Sequence, residues 1–155
     1  MLNIGKRPSE IYASLLVSGG KINIFHATLD RNMRIGGASS TASGGNSIAV
    51  ISGDGEINIM KGQVDIAFGL NCEGTLRLDG GTLLTRNIVM GAGSLAQIYF
   101  NGGTLIPTLA GQSMSGAISL LVSTNGAVIN TTQADYTIPQ AFNSDSSLNG
   151  AKDGG

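Results

Sequence analysis

One phrase recurs five times along this chain: an apolar strand, a turn of small residues, and a second apolar strand. No other feature restricts the possible folds as much, because a fixed internal repeat implies stacked, similar units. The five copies are Leu15 to Ile24 (LLVSGGKINI), Ala49 to Ile59 (AVISGDGEINI), Leu76 to Leu83 (LRLDGGTL), Ile98 to Leu105 (IYFNGGTL) and Leu120 to Val128 (LLVSTNGAV). The last glycine of each turn falls at 20, 55, 81, 103 and 126, giving spacings of 35, 26, 22 and 23 residues, the length of one coil of three short strands. A second phrase, apolar-x-apolar-Gly, interleaves with the first at Leu2-Asn3-Ile4-Gly5, Met33-Arg34-Ile35-Gly36, Ile66-Ala67-Phe68-Gly69 and Ile88-Val89-Met90-Gly91.

Within each strand the apolar residues alternate, the period of two that a half-buried strand requires. Aligned on the turns, Val17, Ile51, Leu78, Phe100 and Val122 form one expected inward column, and Ile22, Ile57, Leu83, Leu105 and Val128 a second. Lys21, Glu56, Thr82 and Thr104 form an outward column that places an opposite charge pair on adjacent strands. One such rung cannot bury its apolar face alone, but rungs stacked at the ~4.8 Å strand spacing enclose a continuous aliphatic interior. The expected fold is an all-β, single-stranded, right-handed parallel β-helix (β-solenoid) of about five rungs, the handedness following from the strong rule for parallel crossovers. The solenoid is expected over residues 1–142. The Ser-, Asn-, Asp- and Gly-rich residues 143–155 read as a polar linker or frayed tail, and Gly36 to Asn46 (GGASSTASGGN) as a surface excursion.

Composition narrows the function classes. Glycine reaches 24 residues, yet 41% of the chain is hydrophobic, so the glycines punctuate a buried core and do not signal disorder. A net charge of −1 with scattered cations gives no electrostatic footprint for nucleic acid. No apolar run approaches the roughly 20 residues that cross a bilayer, so membrane insertion is not expected. Met1 to Pro8 lacks the apolar centre of a secretory signal, so the chain is expected to be either cytosolic or, as the reading below favours, an internal piece of a longer protein. Cys72 is the single cysteine, which excludes an intrachain disulfide or a cysteine metal cluster and reads as a small buried apolar residue.

Catalytic chemistry finds little support. Asp54 and Asp79 lie in equivalent turns of successive rungs and are the carboxylates that a glycoside hydrolase would need about 5 to 10 Å apart, but Asp in a Gly-rich turn ordinarily serves the local backbone. Arg77, in an outward column with Val50 and Tyr99, is a possible lyase base or substrate clamp and reads more simply as a solvated strand residue. His26 is the lone histidine, too few for a triad or a multi-histidine metal site. No cofactor or metal motif is present, and the chain reads as non-enzymatic. The alternative is a polysaccharide-binding or polysaccharide-degrading β-helix, in which a face bearing Arg77 and Tyr99, with Thr82 and Thr104 nearby, adsorbs the polymer by ring stacking and hydroxyl contacts.

The phrases Gly74 to Leu83, Tyr99 to Leu105, Gly126 to Thr131 and Asn149 to Gly155 resemble the β-helical passenger regions of bacterial autotransporter-like surface proteins and their autotransporter-associated β-strand repeats. The likeness covers most of the chain, although the membrane-barrel domain of such proteins has no counterpart in it. The resemblance implies a secreted or cell-surface setting and a scaffold, spacer, fibre or adhesive role, and it supplies no catalytic residues. No amphipathic helix precedes Leu2 or follows Ile138 to act as a lid. The expected partners are therefore neighbouring solenoid segments of a longer chain or further copies stacked end to end.

Overall fold

The computed structural model describes residues 1–5, 12–25, 31–41 and 45–146. Its first rung comprises β1 (Leu2–Ile4), β2 (Tyr12–Val17) and β3 (Lys21–Asn23), and the second β4 (Met33–Ile35), β5 (Asn46–Ser52) and β6 (Glu56–Asn58). The third holds β7 (Val64–Ile66), β8 (Glu73–Asp79) and β9 (Thr82–Thr85), and the fourth β10 (Ile88–Met90), β11 (Leu95–Phe100) and β12 (Thr104–Pro107). The fifth is β13 (Gln112–Ser115), β14 (Ile118–Val122) and β15 (Val128–Ile129), after which β16 (Tyr136–Thr137) and β17 (Phe142–Ser144) begin another. Every third strand pairs in parallel, giving sheet A (β1-β4-β7-β10-β13-β16), sheet B (β2-β5-β8-β11-β14-β17) and sheet C (β3-β6-β9-β12-β15). The chain is thus an all-β parallel solenoid, with no α-helix among the described residues.

The three sheets close around the aliphatic columns that alternation foretells. Val17, Ile51, Leu78, Phe100 and Val122 pair directly from β2 to β14, and the middle three are fully buried. Sheet A adds the column Met33, Val64 and Ile88, also fully buried. On the outside Lys21 Nζ lies 2.6 Å from Glu56 Oε1, as the outward pairing requires. Both side chains remain partly solvated, so this bridge fixes register more than it adds stability.

The second column is corrected at its end. Leu105 pairs with Ile129, while Val128 pairs with Thr104 and is exposed. The turn from Val122 to Ile129 takes up more residues than that from Phe100 to Leu105, and a one-residue slip in a strand exchanges its faces. Val128 therefore continues the outward column of Lys21, Glu56, Thr82 and Thr104.

The third apolar-x-apolar-Gly phrase is displaced as well. The strand equivalent to Met33–Ile35 is Val64–Ile66, and Ile66-Ala67-Phe68-Gly69 rounds the corner beyond it. Phe68 N, not Ala67 N, donates to Ile35 O, so Ala67 is an extra residue, a bulge, with φ +52°. Gly36 and Gly37 are likewise part of the stacked corner, their amides donating to Ile4 O and Gly5 O, and the exposed excursion runs over Ser39–Thr41. At the other end β17 pairs with β14 through Ser144, and the buried Asp145 donates its amide to Val122 O and accepts from Ser123 Oγ at 2.8 Å. The ladder therefore continues into the first residues of the polar segment, the remainder of which, 147–155, lies outside the described residues.

Candidate functional site

Sheet B has the longest strands, and its outer face carries an arrangement that the sequence singles out and the fold assembles. Arg77 pairs between Val50 and Tyr99, all three facing outward. Its guanidinium carbon lies 5.1 Å from the Tyr99 ring centre, within cation–π range. Two bonds tie it to Asp79, Nε to Oδ2 at 3.0 Å and Nη2 to Oδ1 at 3.2 Å. Side chains at i and i+2 share one face of a strand, which makes this fork possible. The hydrogen-bonded carboxylate holds the Arg77 pKa above its usual value, so the group is a fixed cation and a donor.

Thr82 and Thr104 pair with each other but lie on sheet C, around the corner from Arg77 and Tyr99. The four residues do not form one flat face. Asp54 and Asp79 are also not equivalent, because Ser52 pairs with Asp79 and Asp54 sits at an exposed tip two residues further on. Asp79 is engaged by Arg77. His26 lies outside the described residues. Among the described residues no group of three or more His, Cys, Asp and Glu is placed to hold a metal ion, and no helix is long and apolar enough to cross a membrane.

Cys72 is fully buried, its Sγ 2.9 Å from Gly69 O and 3.0 Å from Gly36 O. Burial pushes its pKa up, against the smaller opposing effect of the Gly69 hydrogen bond. The thiolate is the reactive form, so a thiol reagent is expected to label native Cys72 slowly and to label it at the free-cysteine rate only in denaturant. Rapid labelling of the folded protein would contradict this placement.

A polar cluster on sheet A escaped the sequence reading. Asp65, in β7, is 3% exposed and pairs with Arg34, whose Nε lies 3.3 Å from Asp65 Oδ2. Asn32 Nδ2 donates to Asp65 Oδ2 at 3.0 Å, Gln63 Nε2 donates to Oδ1, and Arg34 Nη1 donates to Ala38 O at 2.8 Å. The Arg34 guanidinium also covers the Phe68 ring at 3.9 Å. Arg34 and Asp65 occupy the middle positions of equivalent strands one rung apart, a signal concealed by aligning the phrase on Phe68 and Gly69. Next to them a polar cavity of about 80 Å³ is lined by Asn32, Lys61, Gly62, Gln63, Arg86 and Asn87. Substituting Asp65 by alanine leaves a largely buried guanidinium and two amides without their acceptor, and is expected to cost about 2 to 3 kcal/mol in urea unfolding. A loss below about 0.5 kcal/mol, within the surface range, would show that the cluster is solvated.

The two ends differ from the middle. At the N-terminal end a recess of about 430 Å³ is lined by Leu2, Asn3, Ile4, Gly5, Tyr12, Ala13, Ser14 and Leu15. Leu2, Leu15 and Ile22 are only partly buried there, whereas their column neighbours Met33, Ala49 and Ile57 are fully buried. At the other end Phe142 is 44% exposed. Among the described residues the apolar columns are thus less covered at the first and last strands than in the middle of the stack.

Fold and repeat together define a β-solenoid. No protein-family model matches the chain, and no curated protein or solved structure matches it either.

Proposed function

We propose that the chain is a structural β-solenoid segment of a secreted or cell-surface bacterial protein, serving as scaffold, spacer or fibre. The single observation that carries this reading is the run of inward aliphatic columns through all the described rungs, with only partial cover at the first and last described strands, a pattern that suits stacking on further rungs. The extracellular setting is supported by the resemblance of its Gly-rich phrases to autotransporter-like passenger regions. Light scattering over a concentration series, with electron microscopy of the same samples, tests the structural reading. Concentration-dependent elongated assemblies are expected, and a stable monomer at all concentrations would count against it.

A second reading is polysaccharide binding on sheet B. The guanidinium of Arg77, immobilised by Asp79 against Tyr99, is a preorganised donor beside an aromatic ring, the pairing that holds sugar hydroxyls and ring faces. Retention of the protein on insoluble glycans, reduced at least tenfold by Tyr99→Ala, is the expected result on this reading. No retention of the parent protein on any glycan tested would remove it.

A further inference from the structure

Among the described residues the inward columns of the first rung and of the last strands are in line, Leu2 and Leu15 with the apolar Ile138 and Phe142, and Val17 with the polar Ser144. We infer that the first rung of one copy seats on the last strands of another in one register, with Leu2 over Ile138, Leu15 over Phe142 and Val17 over Ser144. This deepens the scaffold reading and rests on it.

The register follows from the columns already present. Leu15, Ala49, Leu76, Ile98, Leu120 and Phe142 are successive members of one inward column, so the next position beyond Phe142 is geometrically a Leu15 position. Sheet A behaves in the same way, since the column that starts at Leu2 passes through Met114, and Ile138 is its equivalent in the strand that pairs with β13. All pairings between named strands are parallel, so the free edge at one end runs in the same direction as the free edge at the other. The contact is heterologous, head to tail, and repeats without closing.

The corner between sheets B and C supplies an independent match. Each sheet B strand is followed or ended there by a small polar residue: Ser18, Ser52, Asp79, Asn101, Ser123 and Asp145. Ser123 already donates to the next residue in that column, Asp145. In the inferred register Ser18, exposed in the single chain, falls on Asp145 from the opposite side. A second copy is therefore a partner whose apolar Ile138 and Phe142, strand direction and corner chemistry fit the N-terminal end, with the polar Ser144 under Val17. Sheet C ends one strand earlier, at β15, among the described residues, so sheets A and B form the seat.

Cysteine cross-linking tests the register. Leu16 and Asn143 are exposed members of one outward column of sheet B, so Leu16→Cys and Asn143→Cys leave the inward columns intact. In the full chain carrying both, adjacent parallel strands would bring the two thiols to a Cα separation that a disulfide tolerates. Mild oxidation is expected to give a ladder of covalent multimers, while either single variant gives at most dimers. The displaced pair Ser14→Cys with Asn143→Cys, two residues out of register, is expected to cross-link at least fivefold less. Light scattering on the same samples separates the failures. Assemblies that do not cross-link, or that cross-link equally through the displaced pair, would overturn the register and leave the scaffold reading standing. Chains that stay monomeric and unlinked would overturn both.

Discussion

Truncating Phe100 to alanine is expected to remove about 4 kcal/mol of stability, within the ~3–5 kcal/mol range for deleting a buried aromatic side chain. Phe100 is fully buried in β11, between Leu78 of the rung before and Val122 of the rung after, and its ring lies 5.9 Å from that of Phe142. Backbone hydrogen bonds on both sides hold β11 at the strand spacing, so the surrounding rungs cannot collapse into the space, and the cost of the cavity adds to the lost transfer energy. The effect also spreads along the stack. Each rung is stabilised by its neighbours, so weakening the fourth uncouples the fifth rung and β16–β17 from the first three. Urea unfolding followed by circular dichroism measures this, and a broadened or two-step transition should accompany the lower midpoint. Leu15→Ala, at the half-open first rung, is expected to cost clearly less. A loss below about 1 kcal/mol for Phe100→Ala would mean that the column does not carry the stability assigned to it.

Gly62→Ala is expected to be nearly as damaging although it only adds a methyl group. A Cβ at Gly62 would lie 1.7 Å from Arg31 O and 2.4 Å from Arg31 C, and both are backbone atoms of the corner beneath. A side chain can rotate away from such a contact, but a backbone held by the ladder can yield only by separating the rungs. Overpacking of this kind costs about 1 to 3 kcal/mol and sometimes more, and the backbone partner places Gly62 at the upper end. Gly19 is the control, for its added Cβ would meet nothing within 4 Å. Gly19→Ala is expected to stay within about 0.5 kcal/mol of the parent, the ordinary range for an exposed turn. Equal midpoints for the two variants in urea would show that the corners do not stack as closely as this.

The same geometry explains how unevenly function is written along the chain. Arg77 and Tyr99 were legible as outward neighbours because each strand of sheet B is preceded and followed by recognisable apolar positions, and their contact follows from alternation alone. The bond from Arg77 to Asp79 is equally local, two residues apart on one face. Thr82 and Thr104, expected near that surface, lie on another sheet, since two glycines after Asp79 or Asn101 suffice to turn the chain. The Asp65 cluster went unread for a related reason. Arg34 and Asn32 lie 31 and 33 residues from Asp65, and recognising the group requires the rung length at that place to be known.

By itself the sequence determined the solenoid, the inward column from Val17 to Val122 and the outward pairing of Lys21 with Glu56, because side-chain alternation and glycine turns are local properties of the chain. The tertiary structure alone decided how many residues each corner absorbs. Ala67 enters as a bulge, the turn after Val122 is long, and so Ile129 faces inward where Val128 was expected, with Val64–Ile66 as the strand in place of Ile66–Phe68. Corner length depends on which carbonyls of the rung beneath are within reach of each amide. That is a contact between residues some 20 to 35 positions apart, and a single residue gained or lost there exchanges core for surface in the strand that follows.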